Sequence, residues 1–329
     1  MDGVEHRGFV IQVDDIAVWV SFMAFIKEQQ RQNFPDGLCL PEWVYRGQSN
    51  SEWGLKSSFE RQFGCGADEN DLRLIERKSM ETFRKLMSCE CAGMDDAELL
   101  AYMQHYGVPT RMLDFTRSPL IALYFALPEA CCKRDVGAFA VWATNLNAVN
   151  SLYDKEARMN AALKAVEGQR HVHAAEADCT RANNAMRMHQ EREVFKMVLR
   201  DDETGLHIRE RVPMAVYDAL SPNARMKAQD GLFLSSTKLS HSFEQSFYEW
   251  KYFERGEFEA EALALSKIFC NRCVLPDYLA NADAFKFEFP VSMRSEAKSY
   301  LEMANVKPSV LFPDFEGAAR EVAEEMLCN

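Results

Sequence analysis

Apolar residues recur at helical spacing in DDIAVWVSFMAFIKEQQRQN, residues 14–33, behind a capping aspartate and ahead of the breaker FPDG. This pattern predicts a helix with one apolar face. PEWVYRGQ follows and reads as a short strand around Val44, with Gly47 ending or bending it. NDLRLIERKSMETFRKLMSC, over 70–89, is an amphipathic helix; DDAELLAYMQHYG is another, capped by Asp95 or Asp96 and stopped at Gly107. SPLIALYFALPEAC, 118–131, is apolar all round behind Ser118 and Pro119, which predicts a buried helix. VGAFAVWAT, 136–144, is the clearest strand.

The second half is less regular. Residues 150–192 are polar and charged and read as a helical insertion. ERVPMAVYDAL, 210–220, reads as a strand after Pro213, and 223–236 ends in a second one. A helix is expected near 257–266, then the strand FKFEFP, the helix SMRSEAKSYLEMANV and a closing helix AAREVAEEMLC. Runs of strand and helix without repeats predict an α+β fold, with several helices around a central mixed or antiparallel sheet. The expected organisation is an N-terminal helical segment over 1–39, a main domain over 40–320 carrying the insertion, and a helix end over 321–329.

Hydrophobic content of 47% in 329 residues is ample for a packed core, and a net charge of −12 argues against an overall electrostatic clamp on nucleic acid. No run of 18 apolar residues occurs, and MDGVEHRGFV lacks the order of a signal peptide. Ten scattered cysteines read as free thiols of a reducing compartment. A soluble, cytoplasmic protein without membrane contact is expected.

Cys270 and Cys273 have metal-ligand spacing but lack a second pair, and His171 and His173 stand in a polar segment, so no metal is expected. The glycine-rich phosphate loops, the GxSxG elbow and HExxH do not occur. Polar residues instead interrupt two apolar stretches. Arg46 stands at a strand end, where its planar donor fork suits a phosphate or ribose, and Gly47 would let a ligand approach the backbone. Pairing of Arg46 with a carboxylate such as Asp114 explains it equally well. Arg111 and Asp114, three apart, read as a buried ion pair. Thr116 and Ser118 stand where a loop enters the buried helix, which suits either anion binding or plain capping. His105 is titratable but reads first as a packed residue.

YRGQ with the following Trp, Leu and SFxR positions, QHYGVPTRMLDFTRSPLIALYFAL, AQDGLF and LFPDFEG resemble the FRG domain family, from about residue 40 to about 320. That family occurs in bacteria and their phages and has no settled biochemistry. The order of its motifs is similar to that of ADP-ribosyltransferase folds. The resemblance implies an enzyme consuming NAD as substrate, a transferase or NAD glycohydrolase in toxin, phage or anti-phage conflict. Its acceptor would be an unidentified protein or nucleic acid. Arg46, Ser118 and Gln229 would be catalytic; Tyr45, Gly47, Gln48, His105, Thr116 and Tyr124 would hold the dinucleotide, with Tyr124 under the nicotinamide ring. Those transferases carry glutamate where Gln229 stands, and a neutral amide stabilises positive charge less. A nucleotide- or nucleic-acid-binding module without turnover is the alternative, and a plain interaction scaffold the third reading.

Overall fold

The computed structural model describes residues 7–32, 42–127, 137–146, 192–219, 223–250, 252–254 and 282–328. The strands are β1 (Arg7–Gln12), β2 (Trp43–Gln48), β3 (Met112–Thr116), β4 (Ala138–Asn145), β5 (Met214–Tyr217), β6 (Gly231–Ser236), β7 (Tyr252–Glu254) and β8 (Ala282–Pro290). Among the described residues they form one eight-stranded sheet in the order β5-β6-β3-β2-β4-β8-β1-β7. β1 runs parallel to both β7 and β8, whereas the other pairs are antiparallel. The sheet is therefore mixed. The expected insertion over 150–192, its last residue apart, and the helix near 257–266 lie outside the described residues.

Alternation along β8 shows why these residues form a strand. Phe285, Phe287 and Phe289 are buried on one face, where Trp19 and Phe22 of α1 (Ile16–Gln32) meet them edge-on. Lys286 and Glu288 turn the other way and pair at 2.7 Å, and the Lys286 ammonium lies over the Trp142 ring. The α1 face also takes Trp43 and Tyr45 of β2 and the apolar helix α5 (Pro119–Ala126). On the opposite face Val44, Trp142, Leu113 and Phe115 pack with Leu99 and Leu100 of α4 (Asp96–His105). Asp95 caps α4 in a capping box with Glu98, and Gly107, at φ 79°, follows its end as expected.

Three strands, β1, β3 and β7, escape a reading of hydrophobic pattern. β1 is short, and its partners lie more than 200 residues away. β3, MLDFT, hides inside what reads as a loop. The ion pair expected between Arg111 and Asp114 does not form. Arg111, 1% exposed, instead grips Glu76 of α3 (Glu69–Leu86) with two hydrogen bonds, Nε to Oε1 at 2.7 Å and the second through a terminal nitrogen to Oε2. It also donates to the Thr237 carbonyl at 3.3 Å. Glu76 stands on the buried stripe of α3 between Leu72 and Met80, spaced four residues from each, which is why it can reach inward.

Candidate active-site cleft

The sheet parts between β2 and β3. These strands are in register at Tyr45–Thr116, with no further pair among the described residues, while β3 stays fully paired to β6 on its other side. Continuing that antiparallel register would set Gly47 opposite Asp114. There the backbones separate instead, and the Arg46 guanidinium donates to the Asp114 carbonyl at 2.7 Å, across the gap where a ladder bond would otherwise run. The Nε of Arg46 is buried without a hydrogen-bond partner, uncommon for a charged donor. Burial pushes the guanidinium below its ordinary value, opposed by the Asp114 carboxylate and reinforced by Arg61.

The gap opens into a cleft of about 380 Å³. Tyr45, Arg46 and Gly47 form one side; Asp114, Phe115 and Thr116 form another. Ala122 and Phe125 of α5 close the back, and Gln104 and His105 come from the end of α4. Arg225, Met226, Gln229 and the start of β6 complete the wall. Three distant stretches of sequence thus converge, as in ligand pockets generally.

Of the residues expected to serve the site, Arg46, Gln229, Tyr45, Gly47, His105 and Thr116 line the cleft; Gln48, Ser118 and Tyr124 do not. Gln48 is buried, accepting from Trp142 Nε1 at 2.7 Å and donating to the Gly54 carbonyl at 3.2 Å. Ser118 caps α5, accepting from Ile121 N–H at 3.3 Å, so of the two readings left open for it capping is the one observed. Tyr124 packs between two core clusters, and its neighbour Phe125 reaches the cleft in its place. Thr116 Oγ1 donates to the Gln229 carbonyl at 2.7 Å and receives Ser118 N–H at 3.1 Å, tying the loop before β6 to the end of β3. Asp230 in that loop takes φ 45°.

Gly47 differs from expectation. A Cβ there would collide with the Ala122 carbonyl oxygen and come 2.5 Å from Ala126 N and 2.9 Å from the Phe125 carbonyl carbon. The missing side chain admits the backbone of α5, not a ligand.

Gln104, Asp114, Phe125 and Arg225 are among the lining residues to which the sequence reading gave no binding or catalytic role. The motif LFPDFEG explains the last. Phe312 is buried with the Arg225 guanidinium 4.4 Å from its ring centre and Arg320 at 4.3 Å, and Glu316 reaches both arginines. Residues 308–320 thereby buttress the wall that carries Arg225. They also bear on His105, whose imidazole lies below its ordinary value. Burial is the main cause and Arg225 the next, against Asp314, Glu316 and Asp114.

Residues 41–134 match the model of the FRG domain. The chain carries an FRG domain. No curated protein and no solved structure matches the chain. The FRG match takes in β2, β3, α4 and α5, hence two of the three stretches that build the cleft; the Arg225–Phe233 stretch lies beyond it. Arg46 and Gly47, the pair at the parting of the strands, belong to the FRG segment. No helix among the described residues is long and apolar enough to cross a membrane.

Proposed function

We propose that the cleft binds NAD and breaks the bond between nicotinamide and ribose, passing ADP-ribose to an acceptor or to water. The observation that carries this reading is the Arg46 guanidinium, enclosed at the parting of the sheet with a buried donor left unpartnered. A diphosphate is the biological anion suited to such a planar fork. Arg225 supplies a second cation on the far wall, and Phe125 an aromatic edge for a ring. The order Tyr45-Arg46-Gly47, then Thr116 and the buried α5, then the Gln229 turn, is similar to that of ADP-ribosyltransferase folds, and a mixed sheet parted at its centre is compatible with them.

The chemistry asks little covalent work of the protein. Holding the dinucleotide with its glycosidic bond exposed and stabilising positive charge on the ribose would suffice. One observation favours the alternative, a nucleotide-binding module without turnover. The Gln229 side-chain nitrogen donates to the Leu311 carbonyl at 3.2 Å and is thereby committed to the fold.

Incubating the chain with NAD and following nicotinamide by chromatography tests the reading. Wild type is expected to release nicotinamide, and Arg46→Ala, with an unchanged circular dichroism spectrum, to lose release by roughly 10²-fold or more. No release by wild type, with cell lysate supplied as a source of acceptors, would leave the binding module standing and sink the enzyme.

His105 makes a separate prediction. Its folded value lies below the ordinary 6.5, so it is largely neutral at pH 7. Protonation adds positive charge at the cleft, and a diphosphate favours that form. Affinity for ADP-ribose is therefore expected to rise as pH falls below about 6.5. His105→Gln should flatten that rise in calorimetry, and a slope that survives the substitution would refute it.

A further inference from the structure

The residue expected to stabilise the ribosyl cation, Gln229, has its amide nitrogen tied to Leu311, and among the residues lining the cleft Asp114 is the one carboxylate. Asp114 is also the exposed exception in β3, whose other four residues are buried. Its side chain belongs to the cleft lining, while its neighbours Leu113 and Phe115 pack into the core on the other face of the strand.

Its setting is built. The fully buried Thr110 hydroxyl accepts from Met112 N–H at 3.3 Å, so its own proton goes to Gln104 Oε1 at 2.6 Å. That fixes which way the Gln104 amide faces, and its nitrogen donates to Asp114 Oδ2 at 2.9 Å. The chain of donors holds one carboxylate oxygen, while Oδ1 makes no hydrogen bond to any described residue. Arg46 meanwhile donates to the carbonyl of this same Asp114. Cation and anion are thus carried side by side across the gap. In NAD the nicotinamide ribose lies directly between the diphosphate and the scissile bond, so a group adjacent to the phosphate holder is the one within reach of that sugar.

We infer, resting on the NAD-cleaving reading above, that Asp114 is the catalytic carboxylate of this cleft. The bond between ribose C1′ and the pyridinium nitrogen breaks heterolytically, and its electron pair leaves with nicotinamide, which becomes neutral. The positive charge passes to the ribose as an oxocarbenium, and the Asp114 carboxylate stabilises that charge as it forms. Water or an acceptor hydroxyl or amine then bonds to C1′ and gives up one proton to solvent. Atoms and charge balance as NAD plus acceptor giving ADP-ribosyl acceptor, nicotinamide and a proton.

Asp114→Asn is the test, since the side chain is exposed and asparagine keeps an oxygen for the Gln104 donor. Nicotinamide release, the thermal midpoint and ADP-ribose affinity by calorimetry are measured for wild type, Asp114→Asn and Gln229→Ala. The inference expects release to fall by roughly 10²-fold in Asp114→Asn, with affinity and midpoint unchanged and with Gln229→Ala remaining faster than Asp114→Asn. Equal release by wild type and Asp114→Asn overturns this assignment and leaves NAD cleavage intact. Loss of ADP-ribose binding together with release also overturns it, making Asp114 a binding residue. A wild type that releases no nicotinamide overturns both this assignment and the reading beneath it.

Discussion

Replacing Glu76 with alanine is expected to cost about 3–5 kcal/mol of stability, because it strands a buried guanidinium. Arg111 is 1% exposed and directs three donors inward, two of them to Glu76. With the carboxylate gone, only the Thr237 carbonyl still receives it, and water cannot reach the charge without opening the packing of α3 on the sheet. Chemical denaturation should read this as a lower midpoint at unchanged slope. The double substitution Glu76→Met, Arg111→Met removes both charges and should recover much of the loss, since apolar replacements of such pairs are often neutral or better. A single substitution costing less than about 1 kcal/mol, or a double one worse than the single, would show that the pair is not what holds α3 to β3.

Gly47→Ala separates two explanations of the same residue. If the glycine existed to admit a ligand, the unliganded protein would keep its stability and lose affinity. The positions of Ala122, Phe125 and Ala126 say otherwise, because the added methyl meets helix backbone, which cannot rotate aside as a side chain would. Destabilisation of about 1–3 kcal/mol or more is expected in the absence of ligand, as for overpacking generally. The displaced α5 would carry Phe125 with it and change the cleft as a second effect. Unfolding at wild-type stability would restore the ligand explanation.

These two residues also show what pattern can and cannot reveal. Helices with long amphipathic or wholly apolar stretches, α1, α3, α4 and α5, were legible because period and caps agreed, and β4 and β8 because their composition is unambiguous. β3 was not, because Arg111 just before it and Asp114 at its middle mimic a loop and its partner β6 comes more than a hundred residues later. Arg111 and Asp114 were misread together for one reason. Proximity in sequence suggested a pair, but an intervening strand aims one side chain into the core toward α3 and the other into the cleft. The partner was signalled after all: a glutamate in register with Leu72 and Met80 on an amphipathic helix must meet a cation inside. Gly47 was noticed correctly and explained wrongly, since nothing local announces a helix returning seventy residues later to lie on it. Arg46 could be singled out from its strand-end position, but that it spans an unpaired stretch of β3 is a fact of topology alone.

That single register position between β2 and β3 has a thermodynamic consequence. Ordinarily a guest that inserts between neighbouring strands must first peel them apart, and the lost backbone bonds subtract from its affinity. Here the peeling is completed during folding, with Arg46 already satisfying the carbonyl left behind. A molecule entering the cleft therefore severs no strand pairing, and that one cost of binding is removed before it arrives.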